Sequence, residues 1–156
     1  MSPLPDDPVA VQESGDGPYA QVVTTGQHVI AADEPENLGG QDSGPSPYQF
    51  LMAGLGACTT MTLRMYATRH GWPLEKSSVL VRHSKTARQD GSPPSDTFER
   101  IIYLTGQLSD EHRARLLEVA DKCPVSQTLQ RTSTVRSQLA VPASQLPSNL
   151  IHVTNS

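Results

Sequence analysis

The sequence predicts an α+β fold in which antiparallel hairpins are covered by helices. Three observations predict it: one stretch carries the signals of a single long helix, hairpin patterns lie on both sides of it, and a second helical pattern follows. At 156 residues the chain suits one domain with a proper core. We expect that domain to span residues 18–156, after a flexible, acidic and proline-rich arm at residues 1–17.

The first element is a hairpin between Tyr19 and Ala32. Residues with β-branched side chains occur on both arms, and Thr25-Gly26 between them is typical of a turn. The next stretch, residues 33–46, contains Gly39-Gly40 and two prolines. This composition predicts a connecting loop that leads into the long helix.

The long helix is predicted over residues 47–70. Ser46 is suited to the N-cap and Pro47 to the first helical position, because the fixed φ of proline matches the helix. Gly71, which Pro73 follows, is suited to end the helix in a left-handed conformation. The uninterrupted apolar run, residues 50–58, is far shorter than the roughly 20 residues that span a membrane. We therefore expect a largely buried core helix and no membrane association.

A strip of small residues runs along this helix. Ala53 and Ala57, and likewise Gly54 and Cys58, are four residues apart and so lie on one side of it. Glycine inside a helix costs roughly 1 kcal/mol relative to alanine, so its presence favours a close approach by another backbone. Cys58 lies in this strip, in the middle of the helix.

A second hairpin and a second helix follow. The strand patterns are residues 77–84 and 97–105, and a polar segment with Asp90-Gly91 separates them. Ser109 and two acidic residues predict a helix start, and Pro124 predicts its end near Lys122. Cys123-Pro124 then predicts the start of a further helix, with Cys123 near the N-cap. Short strands at residues 135–141 and 151–154 complete the predicted order.

Charge is unevenly distributed along the chain. All 12 Lys and Arg residues lie at or beyond Arg64, whereas 8 of the 16 acidic residues precede it. The net charge is −4, with no basic patch in the first 63 residues, which makes nucleic acid an improbable partner. The N-terminal stretch is polar and lacks an apolar signal, so we expect a cytoplasmic protein.

The two cysteines, Cys58 and Cys123, are the one pair with an evident reactive role. There is no CxxC motif and no Cys/His cluster, so we expect neither a metal site nor a cofactor. Cys123 can lie at a helix start, where backbone N–H groups favour a thiolate. Cys58 gains nothing from the helix dipole in mid-helix, and apolar surroundings disfavour its thiolate, so it needs a cation from elsewhere.

The block from Gly44 to Cys58, together with Cys123-Pro124-Val125-Ser126, resembles the osmotically inducible protein C (OsmC) family, which includes the organic hydroperoxide resistance proteins. The resemblance extends over about residues 19–154. It implies an OsmC-like α+β fold, an intertwined homodimer and a long central helix in each chain. It also implies a peroxidase in which Cys58 becomes a sulfenic acid and Cys123 condenses with it to a disulfide, which a thiol or dithiol reductant resets.

The chain departs from the family pattern at the groups that activate the thiolate. The best-known members use an arginine from the N-terminal strands and a glutamate early in the long helix. Here the position of the glutamate falls at Tyr48 or Gln49, and no Lys or Arg precedes Arg64. Because an unpaired buried charge is costly, the two groups are expected to be lost together. The candidates for a replacement cation are three: Arg82, Arg100 and Arg131.

These observations leave two functional hypotheses. The first is a homodimeric thiol peroxidase for organic hydroperoxides in oxidative stress defence, with Cys58 and Cys123 as catalytic residues and Tyr48 and Gln49 as supporting candidates. Apolar side chains around the thiols would favour bulky organic peroxides, and Phe50, Leu55, Met61 and Trp72 are candidates to line the pocket. The alternative is a dimer of the same fold that binds a small hydrophobic molecule without catalysis.

Overall fold

The structure is a computed structural model that describes residues 8–139. Two compact units are distinguished within the chain. The first comprises the residues up to Ser46 together with those from Thr134 onward, and the second comprises Pro47–Ser133. The single domain predicted for residues 18–156 remains a prediction.

The first unit contains a three-stranded antiparallel sheet in the order β1-β2-β3. The strands are β1 (Ala10–Glu13), β2 (Gln21–Thr25) and β3 (His28–Ala32). The β2–β3 hairpin confirms the predicted one, and Gly26 adopts a φ of 54° in its turn. Strand β1 is a difference from the prediction, since it lies inside the stretch expected to be a flexible arm. Its short Ala-Val-Gln-Glu run is ordered by pairing with β2, where Val11 lies opposite Val23.

The loop that leaves this sheet is organised around Asp33, which is buried. Its carboxylate accepts hydrogen bonds from the backbone N–H groups of Glu34, Gln41 and Ser43 and from the Ser43 hydroxyl, at 2.8–3.2 Å. The Ser43 hydroxyl is the largest of the contributions that hold the pKa of Asp33 below its usual value. One carboxylate therefore fastens a glycine-rich loop that contains a 3₁₀ turn at Glu36–Leu38.

The long helix, α1, spans Pro47–Arg69 in the second unit. It confirms the prediction except that it is one residue shorter. Gly71 adopts a φ of 65°, and the N–H groups of Trp72 and Gly71 donate to the carbonyl oxygens of Ala67 and Thr68. This is the double hydrogen bond of a glycine-terminated helix, and a side chain at Gly71 would strain it.

A two-stranded antiparallel sheet packs against α1. Its strands are β4 (Lys76–Thr86) and β5 (Ser95–Thr105), which confirm the second predicted hairpin with longer arms. Alternate residues of each strand are shielded, as expected when one face is covered by a helix. A Cβ atom at Gly56 would lie 3.3 Å from Val79 Cγ1, so the glycine lets α1 approach the sheet closely.

Two further helices complete the second unit, α2 (Asp110–Ala120) and α3 (Pro124–Leu129). Both starts are those predicted: the Ser109 hydroxyl accepts the N–H of His112, and Cys123 is the N-cap of α3. The buried apolar core lies between α1, α2 and the segments that join the strands to them. It consists of Leu63, Ala67, Leu74, Leu108, Leu116, Val119 and Ala120.

The outer side of α1 differs from the expectation of a largely buried helix. Met61 is 62% exposed, and Leu51 and Met65 are about half exposed. Within the described residues the Cβ position of Gly54 has open space around it. The sheet, α2 and α3 cover only one side of α1, so the predicted small-residue strip lies mostly on the uncovered side.

The C-terminal strand predictions are only partly covered by the structure. Residues 135–139 form no strand, and the remainder of that prediction and the strand at 151–154 lie outside the described residues. Within residues 8–139, no helix has the length and apolar content needed to cross a lipid bilayer.

Candidate functional site

Cys123 is positioned by the turn between α2 and α3. The N–H of Cys123 donates to the carbonyl oxygen of Ala120 as α2 ends, and Pro124 then begins α3. At this N-cap position the Cys123 Sγ accepts the backbone N–H of Ser126 at 3.3 Å. The side chain is fully buried. The sulfur therefore has a built-in hydrogen-bond donor and no exposure to solvent in this chain.

Cys58 is brought to the same place by α1, which packs against α3. Its thiol lies within interaction distance of the Cys123 side chain, the N–H of Val125 and the hydroxyl of Thr62. Both cysteines are free thiols, and Cys58 is only partly buried. The two residues predicted to act together, 65 positions apart in sequence, are thus neighbours in the second unit.

The surroundings of Cys58 oppose its ionisation. Desolvation by burial is the largest influence and raises the pKa of the Cys58 thiol. The N–H of Val125 and the Thr62 hydroxyl lower it, but the neighbouring Cys123 raises it further. The net pKa is above the ordinary value, which agrees with the sequence-based conclusion that a mid-helix cysteine needs an external cation.

Arg100, on β5, is the cation that the structure links to Cys123 through the hydroxyl of Thr59. Its Nη1 donates to Thr59 Oγ1 at 3.1 Å, and Thr59 Oγ1 lies 3.8 Å from Cys123 Sγ. The same Nη1 donates to the carbonyl oxygen of Ala120 at 2.8 Å, and Nη2 pairs with Asp121 at 2.7 Å. The Arg100 side chain is only 12% exposed. Of the three cations proposed from sequence, this is the one linked to a cysteine.

The other two candidates have different surroundings. Arg82 lies on the exposed face of β4, where it is opposite Glu99 in the strand register. Arg131 follows α3, and its Nε donates to the carbonyl oxygen of Gln127 at 3.1 Å. Within residues 8–139 these contacts connect neither arginine to the cysteines.

The supporting candidates Tyr48 and Gln49 lie on the first turn of α1. Tyr48 stacks on His83 at a ring distance of 4.3 Å, and Lys85 Nζ lies 5.1 Å from its ring centroid. His83 in turn bonds Asp96 at 2.7 Å. The ring of Tyr48 thus belongs to a cluster with β4 and β5, while Gln49 is exposed. A supporting role for either residue remains a prediction.

Thr59 is a site residue that was not predicted from the sequence. It is fully buried, and its hydroxyl also donates to the carbonyl oxygen of Leu55 at 2.7 Å. The sequence contained an indication of this role, because Thr59 is the first of the polar residues that follow the apolar run of α1. A polar side chain on the covered face of a helix needs a hydrogen-bond partner, and the Thr59 hydroxyl accepts a hydrogen bond from the guanidinium of Arg100.

A cavity of about 460 Å³ opens beside this cluster. Ser126, which donates to Cys123, and Arg100 both line it. Of the four pocket residues proposed from sequence, Leu55 lines this cavity. Trp72 instead stacks on His112, at a ring distance of 4.1 Å. The remaining lining combines apolar and polar groups: Asp96, Phe98, Asp121, Leu129 and Gln130.

Comparison with known proteins places this arrangement in context. The sequence profile described as "OsmC-like protein" matches residues 40–138, which include both cysteines, Thr59 and Arg100. Among curated proteins, no sequence matches the chain significantly.

Several solved structures share the fold. An OsmC-like protein from Mycoplasma pneumoniae matches with a TM-score of 0.68 at 20% identity, over 83% of this chain and 89% of that one. An organic hydroperoxide resistance protein OsmC from Legionella pneumophila matches with a TM-score of 0.64 at 22% identity, over 82% and 91%. One from Elizabethkingia anophelis gives 0.64 at 20%, over 82% and 90%. At these identities the likeness confirms the α+β, OsmC-like fold.

Proposed function

The chain belongs to the OsmC-like protein family, and from this premise we propose that it is a cysteine-based peroxidase that reduces organic hydroperoxides. The observation that carries the proposal is the contact between two free thiols, one in mid-helix on α1 and one at the start of α3. Structural neighbours from Legionella pneumophila and Elizabethkingia anophelis are named organic hydroperoxide resistance proteins, which supports the choice of substrate class.

The proposed reaction begins at Cys58, the more exposed of the two thiols. Its thiolate attacks the terminal oxygen of the hydroperoxide, so an S–O bond forms as the O–O bond breaks. The sulfur is oxidised to a sulfenic acid, and the leaving alkoxide takes a proton to become an alcohol. Burial of Cys123 keeps the second thiol away from peroxide in solution during this step.

The second step joins the two cysteines. The Cys123 thiolate attacks the sulfur of the sulfenic acid, an S–S bond forms, and hydroxide leaves to become water. A thiol or dithiol reductant then restores both thiols by disulfide exchange and is itself oxidised. No cofactor is required in this scheme, because the two sulfurs carry all the electrons that move.

The assembly proposed with this activity is a homodimer. Apolar side chains on the uncovered side of α1, among them Met61, Leu51 and Met65, support it because a second copy could bury them. The cavity beside Arg100, with Leu55, Phe98 and Leu129 in its wall, is the proposed place for the organic group of the substrate.

The experiment that tests the proposal is a titration of the reduced protein with cumene hydroperoxide and, separately, with hydrogen peroxide. Loss of free thiols and formation of the Cys58–Cys123 disulfide are followed by mass spectrometry. We expect one disulfide per equivalent of the organic peroxide, formed much faster than with hydrogen peroxide. Oxidation at the rate of an ordinary free thiol, with no preference between the peroxides, would contradict the proposal.

A second candidate function is supported by the raised pKa of Cys58 and by the lack of any Lys or Arg before Arg64. A protein of this fold whose thiols are not activated could use the cavity to bind a small hydrophobic molecule. Retention of such a molecule through purification, detected by native mass spectrometry in a protein that oxidises slowly, would favour this alternative.

A further inference from the structure

We propose that Arg100 is a positioning residue that, through the hydroxyl of Thr59, stabilises the thiolate of Cys123 and so speeds disulfide closure onto oxidised Cys58. The inference deepens the proposed peroxidase function and rests on it for the closure step. The stabilisation itself concerns the reduced protein and does not depend on peroxide.

The geometry is a continuous chain of hydrogen-bonding groups from solvent to sulfur. The exposed carboxylate of Asp121 holds Arg100 Nη2 at 2.7 Å. Arg100 Nη1 reaches Thr59 Oγ1 at 3.1 Å, and that oxygen is 3.8 Å from Cys123 Sγ. Thr59 and Cys123 are fully buried, so no water competes for these contacts within the chain. In such surroundings hydrogen bonds polarise one another and are stronger than in water.

The Thr59 hydroxyl has a single proton, and the orientation of this proton couples the charge of Arg100 to the sulfur of Cys123. A hydroxyl carries one donor and two lone pairs. Arg100 occupies one lone pair, and the proton is directed at the Leu55 carbonyl oxygen, 2.7 Å away. A Cys123 thiol can donate its S–H to the second lone pair. Once Cys123 is a thiolate it can only accept, so the hydroxyl proton must turn towards it from Leu55.

The arginine makes that turn more favourable. Because guanidinium N–H groups only donate, Arg100 always withdraws electron density from the Thr59 oxygen and strengthens its O–H as a donor. Within residues 8–139, the charged and titratable groups in contact with this arrangement are Arg100 from β5, Asp121 after α2, and Cys58 from α1. Of these, Arg100 alone favours an anion at the sulfur.

One short segment at the end of α2 positions both the guanidinium of Arg100 and the sulfur of Cys123. Ala120 and Asp121, which hold the guanidinium, are three and two residues before Cys123. The end of α2 therefore sets the location of the arginine and of the sulfur together. In disulfide closure the thiolate attacks Cys58 sulfur, S–S forms, S–O breaks and hydroxide leaves. A larger thiolate population at Cys123 raises the rate of this step, and its negative charge does not assist ionisation of the neighbouring Cys58.

The first test separates the two steps by stopped flow with cumene hydroperoxide. In Arg100→Met we expect sulfenic acid formation at Cys58 to be no slower than in wild type and closure slower by about tenfold, since a charge-assisted hydrogen bond is lost. The pH at which closure reaches half its maximal rate should shift upward in the same variant. Equal slowing of both steps, or closure at the wild-type rate, would overturn the proposal.

Matched variants distinguish this role from a general structural one. Arg82→Met removes an arginine from the exposed face of β4 and should leave both steps unchanged. Arg100→Lys keeps the charge and should restore part of the closure rate. Thr59→Val removes the hydroxyl at nearly constant shape and should slow closure as Arg100→Met does. Because both act through one hydroxyl, the double variant should be no slower than either single variant, whereas multiplied effects would contradict the relay.

A second measurement needs no peroxide. In Cys58→Ser, thiolate absorbance at 240 nm reports Cys123 alone, and adding Arg100→Met should shift the rise of that absorbance to higher pH. If no sulfenic acid forms with any peroxide but this absorbance still depends on Arg100, the peroxidase proposal fails and the stabilisation stands. If the absorbance does not change while thermal stability is intact, the inference is wrong.

Discussion

Cys58 and Cys123 are neighbours, but the protein surrounds them in opposite ways. Cys123 is fully buried at the start of α3, where the N–H of Ser126 and the hydroxyl of Thr59 approach its sulfur. Cys58 is partly exposed in the middle of α1, where burial and the second thiol raise its pKa. The thiol that peroxide can reach therefore has surroundings that raise its pKa, and the thiol linked to Arg100 through Thr59 is shielded.

Access to a thiol and stabilisation of its thiolate are therefore separate properties of this site. Access to Cys58 follows from its partial exposure in the middle of α1. Support for Cys123 follows from the end of α2 and the buried face of α1, which are fixed by the apolar core. Each property can be changed without the other, and the following variants are ordered by the size of the effect that we expect.

The largest effect is expected from replacing each cysteine. Without reductant, Cys58→Ser should consume no cumene hydroperoxide, because the exposed nucleophile is gone. Cys123→Ser should consume one equivalent and stop at a sulfenic acid, which dimedone trapping and mass spectrometry detect. If the two variants behave alike, with peroxide consumption untouched in both, the division of roles between the cysteines is wrong.

The next effect concerns the core that supports Cys123. Leu116→Ala removes a fully buried side chain of α2 and should lower the free energy of unfolding by about 2–5 kcal/mol. Met61→Ala, on the exposed side of α1 one turn beyond Cys58, should cost no more than about 0.5 kcal/mol in the dissociated chain. Urea denaturation at low protein concentration measures both. Similar losses would contradict the assigned difference in burial.

A third effect follows from the raised pKa of Cys58. Below its pKa the thiolate fraction grows about tenfold per pH unit, so peroxide attack should accelerate by about a hundredfold between about pH 6 and pH 8. Because Cys123 contributes to the upward shift, ionisation of Cys58 in Cys123→Ser should move to lower pH. Sulfenic acid formation against pH measures this. A rate already constant from about pH 6 would show that Cys58 is ionised there.

The smallest effect is expected at Asp121, the exposed end of the hydrogen-bonded series that links Arg100 and Thr59 to Cys123. Asp121 is 72% exposed, and ion pairs with exposed partners contribute little, so Asp121→Asn should slow disulfide closure by about twofold at most. Arg100 would still be held by Ala120 and Thr59. A loss as large as that of Arg100→Met would mean that the carboxylate, rather than the backbone, positions the guanidinium.

Features with strong local signals were predictable from sequence. The limits of α1 follow from Pro47 and Gly71, and the second and third helices begin at Ser109 and Cys123 as expected. Both predicted hairpins are present, because alternating β-branched residues and short turn sequences act within a few positions. Strand β1 was missed, since a four-residue strand with two polar residues becomes ordered only by pairing with β2.

The site was predictable only in outline. The two cysteines could be named from their motifs, but three arginines remained equivalent candidates until β5 was seen to place Arg100 beside Thr59. Their distances from Cys58 along the chain carry no such information. The same holds for Tyr48, whose stacking on His83 depends on how β4 lies against the first turn of α1.

By itself, then, the sequence determined the helices, the hairpins, the fold class and the identity of the two thiols. These depend on helix caps, turns and periodicity, which are interactions between residues close in the chain. The packing of the folded chain decided that Arg100 lies beside Thr59, that Thr59 links this arginine to Cys123, and which side of α1 is left open. These depend on packing between α1, β5 and the end of α2, and side chains that meet there are 20 to 64 residues apart.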